Sequence, residues 1–179
     1  AKESLELGVD IINDVTGLKH DPMMSKIIEK YCPSLVLCAF SKKFVTGNQL
    51  LKTKNLLKES LNIDKSAGIP SSKIVLDPAI GFFRKEGKGS LFTKINSDWV
   101  KRDLLILKNL KSIKMNKPIL VSVSNKSFIG KILKKQYLSD RLAGTLVTET
   151  LSILNGADII RTHNVGKTKE VITITQKLS

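Results

Sequence analysis

Cysteine is scarce in this chain of 179 residues: there are two, Cys32 and Cys38. Two thiols build neither a disulfide framework nor a cysteine-rich metal site. Cys38 falls in an apolar run at 35–40 and is expected to be buried. The reading is a cytoplasmic chain with both thiols reduced. No apolar run approaches the roughly 20 residues that a membrane helix needs, so no membrane partner is expected. The first residues lack the basic segment, apolar stretch and small-residue cleavage site of a secretory leader. The chain opens at Ala1 rather than methionine, inside a helix-like pattern, and a further upstream segment is expected. Linkers, low-complexity tracts and internal repeats are lacking too, so residues 1–179 read as a single domain.

Acidic residues are also few: 16 Asp and Glu stand against 30 Lys and Arg, a net charge of +14. Such a balance raises the question of nucleic acid. The lysines, however, are spread over helix faces, as at Lys52, Lys54, Lys58, Lys108, Lys111 and Lys114. Only Arg84, Lys85 and Lys88, and then Lys131, Lys134 and Lys135, form small groups. Helix-turn-helix, zinc-finger and RNA-binding sheet signatures are missing. The charge therefore reads as a solvated surface, and nucleic acid is not the expected partner.

What is present is alternation. Short β-rich apolar runs at 9–15, 35–40, 73–76, 118–123 and 157–160 are each followed by a helical pattern. The expected helices cover 21–31, 49–67, 96–115, a stretch after Ser127, a stretch from Ser139 or Asp140 to Asn155, and 167–178. Asn96 or Ser97 is the expected cap of the third, and residues 81–95 read as a loop. Unbroken apolar strands with long crossovers imply parallel pairing and right-handed βαβ units. A closed eight-unit barrel needs about 250 residues, and five units are visible. An open five-stranded sheet is the alternative. It would carry a glycine-rich phosphate loop after its first strand, which Val15-Thr16-Gly17-Leu18 does not supply.

Four strings follow four of these strands: Ile12-Asn13-Asp14-Val15, Asp77-Pro78-Ala79-Ile80-Gly81-Phe82, Ser124-Asn125-Lys126-Ser127-Phe128-Ile129-Gly130 and Arg161-Thr162-His163. In parallel α/β folds chemistry gathers at the C-terminal ends of strands. An Asn, an Asp, a Lys and an Arg/His pair should therefore converge on one rim. That set suits a flat heterocycle with an anionic tail. A carboxylate such as Asp77 accepts two adjacent N–H donors in a charge-assisted contact, and the amide of Asn13 offers a donor and an acceptor. Arg161 and His163 alternate about Thr162 and so share a face, where a guanidinium fork and an imidazole suit phosphate oxygens. Asp14 is expected in a structural turn, Ser127 either on an anion or as a helix cap, and His20 on the surface.

In this order the strings closely resemble dihydropteroate synthase, a family of (β/α)8 TIM barrels that joins a dihydropterin diphosphate to 4-aminobenzoate. The resemblance covers nearly the whole chain but only the last five βα units of that barrel. It implies substrate-binding roles for Asn13, Asp77, Phe82, Ser124, Lys126, Arg161 and His163, with Lys126, Arg161 and His163 also catalytic. It further implies a magnesium ion, whose ligand in the family lies on a strand not represented here, and a homodimer formed through the later helices. Several positions depart from the family pattern. Ala79 and Phe83 replace glycines, Asn125 replaces an arginine and Asn164 replaces an aspartate. The segment after Cys38 lacks the family's His and Met, and 84–95 lacks its His-Asn. Two other readings remain open: a pterin-dependent methyltransferase with a corrinoid partner, and a divergent, non-catalytic barrel subunit.

Overall fold

The computed structural model describes residues 1–86 and 89–178; Lys88, from one of the two small basic groups, lies outside them. After a short helix α1 (Lys2–Glu6), β1 (Ile11–Asp14), β2 (Ser34–Cys38) and β3 (Ile74–Asp77) form a three-stranded sheet in that order. Both pairings are parallel, with Asn13 opposite Val36 and Cys38 opposite Asp77. A parallel bridge from Leu76 to Ile119 continues the layer into β6 (Leu120–Val121), which pairs in parallel with β7 (Ile159–Ile160). All five expected strands are present, and all are parallel.

Side chains alternate across a strand. Leu35, Leu37, Ile74, Leu76, Ile119 and Val121 all point to one face, where each is essentially fully buried. Helices cover that face: α2 (Met23–Tyr31), α3 (Gln49–Ser66), α4 (Trp99–Lys108) and a short α5 (Leu110–Ile113), contributing Ile28, Leu57, Ile106, Leu110 and Ile113 to the core. Each such side chain contributes about 1.5–3 kcal/mol by burial. The opposite face carries Asn13, Cys38 and Asp77.

Local chemistry sets the helix limits, and it corrects three expectations. Asn48 caps α3 by accepting from the amides of Leu50 and Leu51. Asp98 caps α4, accepting from Val100 and Lys101, in place of Asn96 or Ser97. The single helix expected to run to Met115 is interrupted at Asn109, whose side-chain amide donates to the Leu105 carbonyl at 2.8 Å; an Asn side chain competes with the helix ladder in this way. Neither Ser139 nor Asp140 caps α7 (Leu142–Leu154); a 3-10 turn over Leu138–Arg141 leads into it. The remaining helices, α6 (Ser127–Leu133) and α8 (Val165–Leu178), fall where the pattern placed them.

The loop expected at 81–95 holds two short strands, β4 (Phe83–Arg84) and β5 (Thr93–Lys94), paired in parallel. Val45 bridges to Ile95, and the amide of Ser41 donates to Thr93 Oγ1 at 2.9 Å. This small sheet ties the basic loop 41–48 to the segment following Asp77. Among the described residues β1 and β7 each pair on one side only, and Ile11 is left 58% exposed.

Candidate active site

Asn13, Cys38 and Asp77 stand at the C-terminal ends of three adjacent strands, on the face turned away from the helices. Extending the Leu120–Ile159 register by four residues places His163 opposite Ser124. Thus Asn13 and Asp77 reach the rim from strand ends, and Phe82, Ser124, Lys126, Arg161 and His163 from the segments that follow β3, β6 and β7.

Asp77 is buried, and its Oδ1 accepts from the amide of Ala79 at 2.7 Å. Burial pushes its carboxyl above the ordinary carboxylate range; the Ala79 amide, Lys126, Cys38 and Arg102 pull the other way without cancelling it. The Cys38 thiol is held well above its usual range, first by burial and then by the negative charges of Asp77 and Asp14. It is therefore a neutral donor on the site face, with Sγ 3.9 Å from Asn13 Oδ1. Asp14 has the structural role expected of it: its carboxylate accepts from the Thr16 amide and hydroxyl and from the Leu18 amide, closing the turn after β1. His20 is exposed, as expected.

Lys126 reaches across Gly81 to the rim. A Cβ at Gly81 would lie 2.9 Å from Lys126 Cδ, and Gly81 has φ +85°, so both conformation and space require glycine there. The ammonium sits 4.6 Å from the Phe82 ring centroid. Burial lowers the Lys126 pKa; Asp77 and Asp103 oppose that, while Arg84 and Arg161 add to it. Lys126, Asp77 and Arg161 thus share one electrostatic field.

Arg161 is exposed and pairs with no acidic side chain among the described residues. His163 is oriented by Ser124, whose Oγ accepts from the His163 amide at 3.2 Å and lies 3.0 Å from Nδ1. The Ser124 hydroxyl and Nδ1 share one hydrogen bond whose direction follows the imidazole tautomer. Ser124 therefore serves His163. Ser127 does not cap α6; its hydroxyl accepts from Arg84 Nη2 at 2.7 Å. Asn125 holds φ +58°, a left-handed turn that Asn tolerates, and its carbonyl accepts from Arg141.

The sequence pattern did not single out the pair beneath the Asp77 loop. Arg102, fully buried on α4, donates to the carbonyls of Pro78 (2.8 Å) and Ala79 (3.3 Å) and stacks 3.7 Å from the Phe83 ring centroid. Its neighbour Asp103 pairs with it at 2.9 Å and accepts from the Gly81 amide. A signal existed: two charged residues fall within the apolar stripe of Trp99, Ile106 and Leu110. The pair holds Ala79 at φ +57°, where the family pattern has glycine.

The chain is similar to known proteins of one family. The model of the pterin binding enzyme family matches residues 1–163. The dihydropteroate synthase of Clostridium beijerinckii is 32% identical over 177 residues, covering 98% of this chain and 60% of the relative. That of Bacillus subtilis is 32% identical over 166 residues, covering 92% and 53%. The dihydropteroate synthase of Clostridium difficile, solved in the presence of pteroic acid, superposes with a TM-score of 0.85 at 32% identity, over 99% of this chain and 62% of that one. The Coxiella burnetii enzyme in complex with pteroic acid gives 0.83 at 31% identity, over 98% and 63%. The chain spans about 60% or less of the length of the first two relatives.

Proposed function

The chain belongs to the pterin binding enzyme family, and we propose that it carries the pterin- and diphosphate-binding face of a dihydropteroate synthase. The five βα units belong, on this reading, to an eight-unit TIM barrel. The observation that carries it is the buried Asp77 at a strand end, with Lys126 and Phe82 beside it and Arg161 and His163 across the rim.

Asp77 accepts from the amino-pyrimidine edge of a dihydropterin, and Asn13 meets a neighbouring ring edge. Lys126 lies against the ring, near Phe82. Arg161 and the imidazole of His163 hold the diphosphate tail. The methylene C–O bond breaks and diphosphate leaves with the electron pair, stabilised by Arg161 and His163. The amine of 4-aminobenzoate then forms the C–N bond and loses a proton. Charge stabilisation and positioning are the main contributions, and no covalent enzyme intermediate is needed. Magnesium is expected of the family, with its ligand on a strand not represented here; the described residues contain no group of three or more His, Cys, Asp or Glu able to hold a metal ion. Homodimer formation and a cytoplasmic location belong to the same proposal. Among the described residues no helix is long and apolar enough to cross a membrane.

Asp77→Ala tests this reading directly. It leaves buried donors of the ligand unpaired, at about 1–3 kcal/mol, so pterin affinity by calorimetry falls roughly tenfold to a hundredfold. Unchanged affinity refutes the assignment. Release of diphosphate on incubation with the dihydropterin diphosphate and 4-aminobenzoate separates a synthase from a pterin-dependent methyltransferase.

A further inference from the structure

Helix α7 is amphipathic in the reverse of the usual sense. It buries Thr145, Glu149 and Ser152, each at most 1% exposed, and leaves Val147 and Leu151 60% and 51% exposed. The buried residues recur at intervals of four and three, which places them on one face. Thr145 Oγ1 accepts from the amide of Asn125, next to Lys126, at 3.1 Å. Glu149 Oε2 accepts from the hydroxyl of Thr168 on α8 at 2.8 Å, and that hydroxyl lies 3.0 Å from Thr162 Oγ1, between Arg161 and His163. The amide of Asn164 donates to Thr162 Oγ1 at 3.3 Å.

A hydroxyl has one proton to give. With the Thr168 proton committed to the carboxylate, the Thr162 hydroxyl supplies the proton of the next bond. A directed chain results, from the Asn164 amide through Thr162 and Thr168 to Glu149. The other oxygen of Glu149 is buried without a partner among the described residues. A fully buried carboxylate in that condition is costly, and an apolar residue would pack there more cheaply. Its placement is explained if the acceptor is needed. Beside Thr145, at the N-terminal end of the same helix, a Cβ on Gly144 would lie 2.6 Å from Ile129 Cγ2, so α7 is seated closely on the helix that follows Lys126.

We infer that α7 is a positioning element: its buried Thr145 and Glu149 set the loop of Lys126 and the segment of Arg161 and His163 in one fixed geometry. Glu149 acts through Thr168 and Thr162 and touches no ligand itself. The inference rests on the proposed reading of Lys126, Arg161 and His163 as the diphosphate side.

The test uses Thr168→Val and Glu149→Gln in the full chain. Amide hydrogen exchange is followed at His163 and Asn164, with calorimetry of inorganic diphosphate alongside. Thr168→Val cuts both links. It should speed exchange at those two amides about tenfold or more, as loss of a net hydrogen bond predicts, while exchange in β2 and β3 stays unchanged. Diphosphate affinity should fall roughly threefold to tenfold. Glu149→Gln keeps an acceptor for Thr168 and should stay within about threefold of the parent on both readings. Unchanged exchange at His163 and Asn164 in Thr168→Val overturns the inference, as does a Gln variant as damaged as the Val variant. Should Thr168→Val fail to fold, Thr162→Val severs the link at the loop; because it also removes the acceptor of the Asn164 amide, it is judged by exchange at His163 alone. A parent chain that does not bind diphosphate refutes the anion-site reading, whereas the exchange experiment still decides whether α7 orders the loops.

Discussion

Asp77 sits where a carboxylate is useful to a ligand and costly to the fold. Its folded-state pKa is raised above the unfolded value of about 3.8, with burial as the largest cause. The sign follows from linkage: between those two values the folded state binds more protons than the unfolded one. Asp77 therefore favours folding below pH 3.8, and that contribution is lost as pH rises through the folded pKa. Asp77→Asn keeps an acceptor for the Ala79 amide and removes the desolvated charge. It should raise the melting temperature near neutral pH, with the gain vanishing as pH falls below about 3.8, and it should still lose pterin affinity. A variant less stable at pH 7 would show that the Lys126 field outweighs burial. Arg161 is the converse case, exposed and unpaired with any acid among the described residues. Arg161→Ala should weaken diphosphate-bearing ligands far more than a bare pterin, and Arg161→Lys should restore only part, because the planar fork is lost. Equal losses for both ligands, measured by calorimetry, would assign Arg161 a structural role.

Among the elements, the Asp77 loop depends on a helix that passes beneath it. Asp103→Ala leaves Arg102 buried without its partner and frees the Gly81 amide. Loss of one partner from a buried pair costs about 3–5 kcal/mol, to be read from chemical denaturation; a loss below about 1 kcal/mol would mean the loop holds itself. The sequence showed the five parallel strands of the main layer, because apolar runs between helical patterns are distinctive. It showed the rim residues because strand ends collect them. It did not show β4 and β5, since they flank a charged, glycine-rich stretch rather than an apolar run between helical patterns, and their pairing depends on Val45 and Ser41 about 50 residues away. It placed the α4 cap one or two residues early because Asn96, Ser97 and Asp98 are all good caps, and only the geometry selects among them. Ser124 was legible as a rim residue but not as the partner of His163, because strand register across 39 residues decides that contact. Arg102 and Asp103 went unseen for a related reason: a charged pair in a helix reads as solvent-facing until the loop above it is placed.

For the molecule as a whole, two kinds of surface lack partners among the described residues, and they make different demands. The free sides of β1 and β7 present backbone donors and acceptors beside exposed Ile11 and Ile159. A flat edge of this kind templates further strands, and helices on one face cannot satisfy it. The groove between α7 and α8 is lined by Leu154, Val171, Ile174 and Leu178 around about 380 Å3. It has no free backbone ladder and suits a second copy of the same helix pair. Residues 1–179 expressed alone should therefore associate by two routes. Sedimentation velocity should show a dimer together with larger, concentration-dependent species. Leu154→Glu combined with Ile174→Lys places charges in the groove and should remove the dimer while leaving the larger species. Lysine substitutions at Ile11 and Ile159, which blunt an edge, should do the opposite. A monodisperse monomer that melts in one cooperative step would contradict both routes and would favour a self-contained open sheet over part of a barrel.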